Sequence, residues 1–323
     1  MKETYGVVSN LFLTRTIMSE KIPTDKKKSP WIEAMRLRTL PASVAGVAAG
    51  TGCACYHHGF KALPMIICLL FAVMSQIASN FANEYYDFKN GLDRKGREGF
   101  RRGVTEGDIR PEAMKRATYS LLAIAALLGC SLIYWGGWWL LPVGVLIAMF
   151  AIGYSAGPYP LSHHGLGDVA VIVFFGLVPV IFTEYVQTQT LFLDRTTLCS
   201  AFAIGLLAAN ILIVNNYRDR DDDASAGKRT TVVIFGRKCM SMVYLFNFLA
   251  AAILLIIATT GAAPAGISTI WVLVSPVAAC LWSRMRKCPT GELNNILKLT
   301  AITLLVVSIC LLVVLSVWTS PAE

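Results

Sequence analysis

From residue 39 onward the chain alternates between long apolar runs and shorter polar stretches. Each run is about 20 residues long, the length that crosses roughly 30 Å of hydrocarbon as a helix. Their positions predict nine spans, at 39–57, 63–84, 114–134, 138–155, 167–187, 197–217, 241–260, 264–283 and 297–318. Small residues recur inside them, as in Ala42-Ser43-Val44-Ala45-Gly46 and Ala208-Ala209, and allow helices to approach closely. Two polar stretches are long: 85–113 follows the second span and 218–240 the sixth. The pattern predicts an all-α polytopic membrane protein, its helices set around a central cavity open to the cytoplasmic side.

Composition supports this class. Of 323 residues, 55% are hydrophobic and 15% charged, whereas soluble domains carry about a quarter charged residues. Charge then sets the orientation. With the N-terminus inside, every Lys and Arg except Lys61 and Arg195 falls on the inner side, as the positive-inside rule requires. The formal net charge of +9 therefore reports topology, not nucleic-acid binding. Most cysteines, such as Cys68, Cys130, Cys199 and Cys310, lie in apolar spans and read as packing residues. Residues 1–30 read as a flexible basic arm with no cleavable signal pattern, and Met18 offers a second start. Residues 31–323 read as one intramembrane domain of two parallel four-helix-like repeats plus a final helix.

The repeat rests on two matching polar phrases. Asn83-Glu84-Tyr85-Tyr86-Asp87 ends the second span, and Asn215-Asn216-Tyr217-Arg218-Asp219 ends the sixth. Four spans separate equivalent points, so the two phrases face the same side of the membrane. Asn83 and Asp87 stand four apart and share one helical face; Asp93 follows past Gly91, where the chain can bend back. Asp219 and Asp223 repeat the spacing. Such oxygen clusters suit Mg²⁺ bound through one or two carboxylates together with substrate phosphates. With Arg101, Arg102, Lys228 and Arg229 nearby, they describe a cradle for a diphosphate, and the apolar helices behind it suit an isoprenoid chain. Asp221, Asp222 and Glu98 read instead as solvated loop charges, and His163 and His164 as loop residues.

At these residues the chain resembles the UbiA superfamily of intramembrane prenyltransferases. The resemblance implies nine helices and Mg²⁺-diphosphate binding by Asn83, Asp87 and Asp93 in one motif and Asp219 and Asp223 in the other. Four further stretches are similar to the branch that acts on 1,4-dihydroxy-2-naphthoate in menaquinone synthesis: Arg36-Leu37-Arg38-Thr39-Leu40-Pro41, the 87–93 spacer, Gly157-Pro158-Tyr159-Pro160-Leu161 with Gly165-Leu166-Gly167-Asp168, and Gly227-Lys228-Arg229-Thr230. Glu84 stands where many relatives have Asp, and Asp168 where this branch often has Glu.

The resemblance implies transfer of a polyprenyl chain from its diphosphate to 1,4-dihydroxy-2-naphthoate, with release of diphosphate and CO₂, in the bacterial cytoplasmic (inner) membrane. Arg36, Lys228 and Arg229 are the diphosphate candidates. Asp168, opening span 5 beside a Pro-containing loop, is the catalytic candidate next to the acceptor, against a reading as a helix-start carboxylate. Asn80 and Tyr154 are further candidates for acceptor or prenyl contacts. The alternatives are another aromatic acceptor such as 4-hydroxybenzoate, or a cation-coupled transporter, since intramembrane acids often mark ion paths.

Overall fold

The computed structural model describes residues 29–96, 99–157 and 159–318. The basic arm to residue 28, Met18, Glu98 and Pro158 lie outside the described residues. Among those described, helices α1 (Pro41–Tyr56), α2 (Ala62–Lys89), α3 (Pro111–Ser131), α4 (Leu140–Gly153), α5 (Gly167–Thr188), α6 (Arg195–Ser225), α7 (Thr231–Thr259), α8 (Gly266–Lys287) and α9 (Leu293–Val317) form the body. Seven are long and apolar enough to cross a membrane. The other two, α1 and α4, have 16 and 14 residues. Each of the nine expected spans falls on one of these helices, with α6 and α7 running well beyond theirs, and the protein is an integral membrane protein.

Local chemistry sets the helix ends. Pro41 and Pro111 occupy first-turn positions, where a missing N–H costs nothing and the fixed φ suits a helix. Asp194 caps α6 by accepting from the Thr197 N–H at 2.9 Å, and Thr230 caps α7. A π-helical segment, Ile172–Leu177, precedes Pro179 in α5, where the proline can offer no N–H to the ladder.

Small residues then permit close packing. A Cβ on Gly50 would collide with the Val180 carbonyl, and one on Gly176 would stand 2.5 Å from Gly205 Cα. In hydrocarbon, where lipid is as apolar as a helix face, such intimate contact is a main source of association. These contacts hold α1 against α5 and α5 against α6. The largest buried cluster centres on α6, with Ile204, Leu207, Ile213, Tyr244, Phe248 and Leu297 fully enclosed.

The two long polar stretches are less loop-like than expected. α2 continues to Lys89, α6 to Ser225, and α7 begins at Thr231, with a break at Gly236 where φ is 79°. Helix persists there because the polar residues on it find partners on neighbouring segments, so the backbone can stay internally bonded beyond the apolar run. A short helix, Gly103–Glu106, lies within the first stretch.

At the end opposite the two acidic phrases, His57 pins three helices together. Its Nδ1 lies 2.6 Å from Glu184 Oε1 on α5, and its Nε2 lies 3.3 Å from Asp194 Oδ2 at the start of α6. The ring stacks on Phe192 with centroids 3.8 Å apart. Partial burial disfavours the imidazolium, but the hydrogen bonds and charges of Asp194 and Glu184 outweigh it and raise the His57 pKa to about 9. Burial alone would raise the Asp194 pKa; the bonds from His57 and Thr197 hold it below its ordinary value. The His57 contribution to stability is complete below 6.5 and fades as pH rises through about 9. The Asp194 contribution is lost in the opposite direction, on acidification through its lowered value. Thermal unfolding in detergent should therefore show a midpoint that drops between neutral pH and alkaline pH, and His57→Gln should remove most of that drop. An unchanged alkaline drop in the variant would exclude the clasp.

Candidate functional site

The last turns of α2 carry Asn80, Asn83, Glu84 and Asp87 at helical spacing, and Gly91, with φ at 68°, turns the chain back so that Leu92 N–H reaches the Asp87 carbonyl. Asp87 is wholly buried. Its Oδ2 accepts from Lys228 Nζ at 2.7 Å, with Arg102 Nη2 at 3.8 Å, while His163 Nε2 lies 3.4 Å from Oδ1. Arg102 also places Nε 3.3 Å from Asp93 Oδ2 and donates to Asn83 Oδ1 at 3.2 Å. Asn83 accepts a second bond from Arg36 Nη2 and donates to Ser155 Oγ at 2.9 Å.

Lys228 reaches Asp87 because the chain reverses tightly after α6. Gly227 adopts φ of 76°, and the Lys228 N–H returns to the Asp223 carbonyl at 2.9 Å. On α6 itself, Asp219 and Asp223 are both buried. Arg218 grips both Asp219 oxygens, at 2.7 and 2.8 Å, and donates further bonds to Asn215 and Asn294. The two phrases thus meet at one end of the bundle, with Tyr154 within electrostatic range of Asp87, Asp168, Asp223 and Arg36.

Other candidates separate into distinct places. Glu84 is buried, but its Oε1 accepts from the Val104 N–H at 3.0 Å and so anchors the short helix Gly103–Glu106. Arg101 pairs with Asp108 at 2.6 Å, away from the acidic phrases. The Arg229 side chain is exposed, and its backbone N–H donates to the His163 carbonyl. Asp221 is exposed and pairs with Arg220 and Arg237, whereas Asp222, expected to be solvated, is partly buried and bound by Arg94. His164 stacks on Tyr159 and serves its loop. His163, read from sequence as a loop residue, instead faces Asp87. Ser155 and Arg218 were likewise missed, since nothing in their spacing signals which polar group they meet across the fold.

Two connected cavities lie behind the charges. The smaller one, about 120 Å³, carries the polar groups of Arg36, Asn80, Tyr154 and Asn215 among apolar side chains such as Phe100. Gln76, Ser79, Phe150 and Phe175 also line the second, an apolar space of about 310 Å³ that reaches Cys68 and Leu140. Asp168 lines neither cavity but lies within electrostatic range of Tyr154, which lines the smaller one. Its Oδ2 accepts from Thr231 Oγ1 at 2.6 Å, and its buried Oδ1 has no hydrogen-bond partner among the described residues. Asp168 lies in the first turn of α5, as the helix-start reading expects, although no side chain caps that end.

The donor set fits a hard cation that shares its coordination with a phosphate ligand. Asp87 Oδ1 is buried without a hydrogen bond. Among the described residues no three His, Cys, Asp or Glu side chains converge on one point, and Mg²⁺ typically takes one or two carboxylates and completes its shell with water and substrate phosphates. Cations already in place, Lys228, Arg102 and Arg36, can turn to such an anion.

The chain is similar to known proteins in sequence and in fold. The family model of the UbiA prenyltransferase family matches residues 43–288. A 1,4-dihydroxy-2-naphthoate octaprenyltransferase of Haemophilus influenzae is 35% identical over 232 residues, covering 68% of this chain and 73% of that protein. The protein of the same name from Mycobacterium tuberculosis is 36% identical, covering 78% and 82%. Among solved structures, a UbiA homolog from Archaeoglobus fulgidus bound to DMAPP and Mg²⁺ superposes with a TM-score of 0.60 at 16% identity, covering 86% of this chain and 100% of that one.

The buried Lys228–Asp87 pair makes a direct stability test. Lys228→Ala leaves Asp87 buried with only the more distant Arg102 and His163 beside it, a class of change that costs on the order of 3 kcal/mol. Adding Asp87→Asn should recover part of that loss, giving a coupling of at least about 1 kcal/mol in a double-mutant cycle of unfolding midpoints. Strictly additive losses would show that the two side chains do not support each other.

Proposed function

The chain belongs to the UbiA prenyltransferase family, and from that premise we propose that it transfers a polyprenyl chain from polyprenyl diphosphate to 1,4-dihydroxy-2-naphthoate, releasing diphosphate and CO₂ and giving demethylmenaquinol, the reduced form of the quinone. The observation that carries this reading is the meeting of two acidic phrases and their cations beside a cavity lined by Arg36, Asn80 and Asn215, which shares lining residues with a larger apolar one. The naphthoate relatives, similar over most of their length, support the acceptor. The same reading takes the motif end as cytoplasmic and the membrane as the bacterial inner one.

Asn83, Asp87 and Asp93 would hold Mg²⁺ with the diphosphate on one side, and Asp219 and Asp223 on the other. Bound there, the metal supplies neutralising charge for the leaving diphosphate. Lys228, Arg36 and Arg102 lie where they can hold the outer phosphate oxygens, and donors aimed at developing charge give the largest rate effects. The breaking C–O bond leaves its electron pair on diphosphate, the electron-rich ring supplies the pair for the new C–C bond, and cleavage of the ring–carboxyl bond returns a pair to the ring as CO₂ leaves. The apolar cavity holds the chain and keeps water from the allylic cation. Asn80 and Tyr154 flank the acceptor. The unpartnered Asp168 Oδ1 accepts the proton of a ring hydroxyl, either as a hydrogen bond or as a transferred proton, and so raises electron density at the attacking carbon.

Product mass spectrometry with 1,4-dihydroxy-2-naphthoate, 4-hydroxybenzoate and a set of prenyl diphosphates tests the acceptor; a preference for 4-hydroxybenzoate would overturn the naphthoate assignment. Asp87→Ala and Asp219→Ala should each lower turnover far more than tenfold while inserting normally, and EDTA should silence the unaltered protein. A loss under about tenfold, or about 1.4 kcal/mol of transition-state stabilisation, would remove that residue from the metal site. Asp168→Asn keeps the shape and removes the charge. It should depress turnover strongly with little change in inhibition by inorganic diphosphate, and it should make the rate depend more steeply on pH. Full activity in that variant would place acceptor activation elsewhere.

A further inference from the structure

Phe100 lines the smaller cavity, in the connection between α2 and α3. Three guanidinium groups surround its ring: Arg218 at 5.3 Å from the centroid, Arg36 at 5.6 Å and Arg38 at 6.0 Å. The approach to Arg218 requires Gly99, since a Cβ there would stand 2.5 Å from the guanidinium, and its φ of +96° suits glycine alone. The same connection is tied down a second time by the pair between Arg94 and Asp222.

Two of the three arginines lead directly to the acidic phrases. Arg36 donates to Asn83 on α2, and Arg218 grips Asp219 on α6. One ring therefore touches a cation from each half of the site. Like charges this close repel, and an extra carboxylate between them would compete with Asp87 and Asp219 for a metal ion. An aromatic face attracts both cations through its quadrupole and contributes no ligand.

We propose that Phe100 is a positioning residue: it holds Arg36 and Arg218, and through them Asn83 and Asp219, at the spacing that lets the two halves of the site bind one metal-diphosphate unit. This rests on the diphosphate reading above. The ring acts on affinity for the metal-diphosphate, not on the aromatic acceptor.

The test compares Phe100→Leu, which keeps apolar volume and loses the quadrupole, with Phe100→Tyr, which keeps the ring. The full chain in nanodiscs is titrated with Mn²⁺ and inorganic diphosphate, and free Mn²⁺ is read by electron paramagnetic resonance. The Leu variant should bind the Mn²⁺-diphosphate about tenfold more weakly, the Tyr variant within about threefold of the parent, and KM for 1,4-dihydroxy-2-naphthoate should stay within about twofold in both. If the Leu variant is not monodisperse, Phe100→Met is read in its place. A Leu variant that binds as the parent does, a Tyr variant as weak as Leu, or a shift confined to the acceptor KM overturns the proposal. Absence of Mn²⁺-diphosphate binding in the parent would instead sink the diphosphate reading itself.

Discussion

Asp87 is a carboxylate with no solvent exposure at the end of an apolar helix, and its charge survives there because Lys228 reaches it at 2.7 Å. An isolated ion in such a place would cost many kcal/mol and would neutralise instead. The pairing makes demands on distant segments. α2 must remain helical to Lys89, the chain must reverse at Gly227 directly after α6, and the loop bearing His163 must close over the opposite oxygen. Arg102 and Arg218 repeat the arrangement for Asp93 and Asp219. Asp87, Asp93 and Asp219 are each held by a cation of the chain itself, Lys228, Arg102 and Arg218, the last from the adjacent residue.

That economy suits an anionic substrate carrying a metal. The carboxylates and the cations are already adjacent, so the exchange of partners that the proposed function calls for, metal to the acids and phosphate to the cations, would require side-chain motion more than helix motion. Behind them polarity falls steeply. Gln76 and Ser79 mark the boundary, and beyond Phe150 and Phe175 the lining is apolar. Charge at the mouth and hydrocarbon in depth match a substrate with a diphosphate head and a long apolar tail. Tight contacts at Gly50 and Gly176 keep α1, α5 and α6 rigid around that path, and the His57 clasp closes their far ends.

Much of this was written in the sequence. Apolar runs of spanning length located the helices, because a bilayer leaves helix as almost the only way to satisfy a backbone in a single pass. The four-residue spacing of Asn83 with Asp87 and of Asp219 with Asp223 put each set on one helical face, and that follows from helix geometry alone. Partners across the fold were not legible. Arg101 and Arg102 are neighbours in sequence, yet one pairs with Asp108 and the other enters the buried site. Asp221 and Asp222 differ in the same way, and His163 and His164 point to unrelated tasks. Glu84 sits one residue from Asn83, but a rotation of about 100° along the helix turns it toward the Gly103–Glu106 segment. Period and length are local properties, fixed by the bilayer and by the helix repeat, so the chain declares them by itself. Which of two adjacent charges is buried depends on the segment that packs against it, and only tertiary structure chooses that segment.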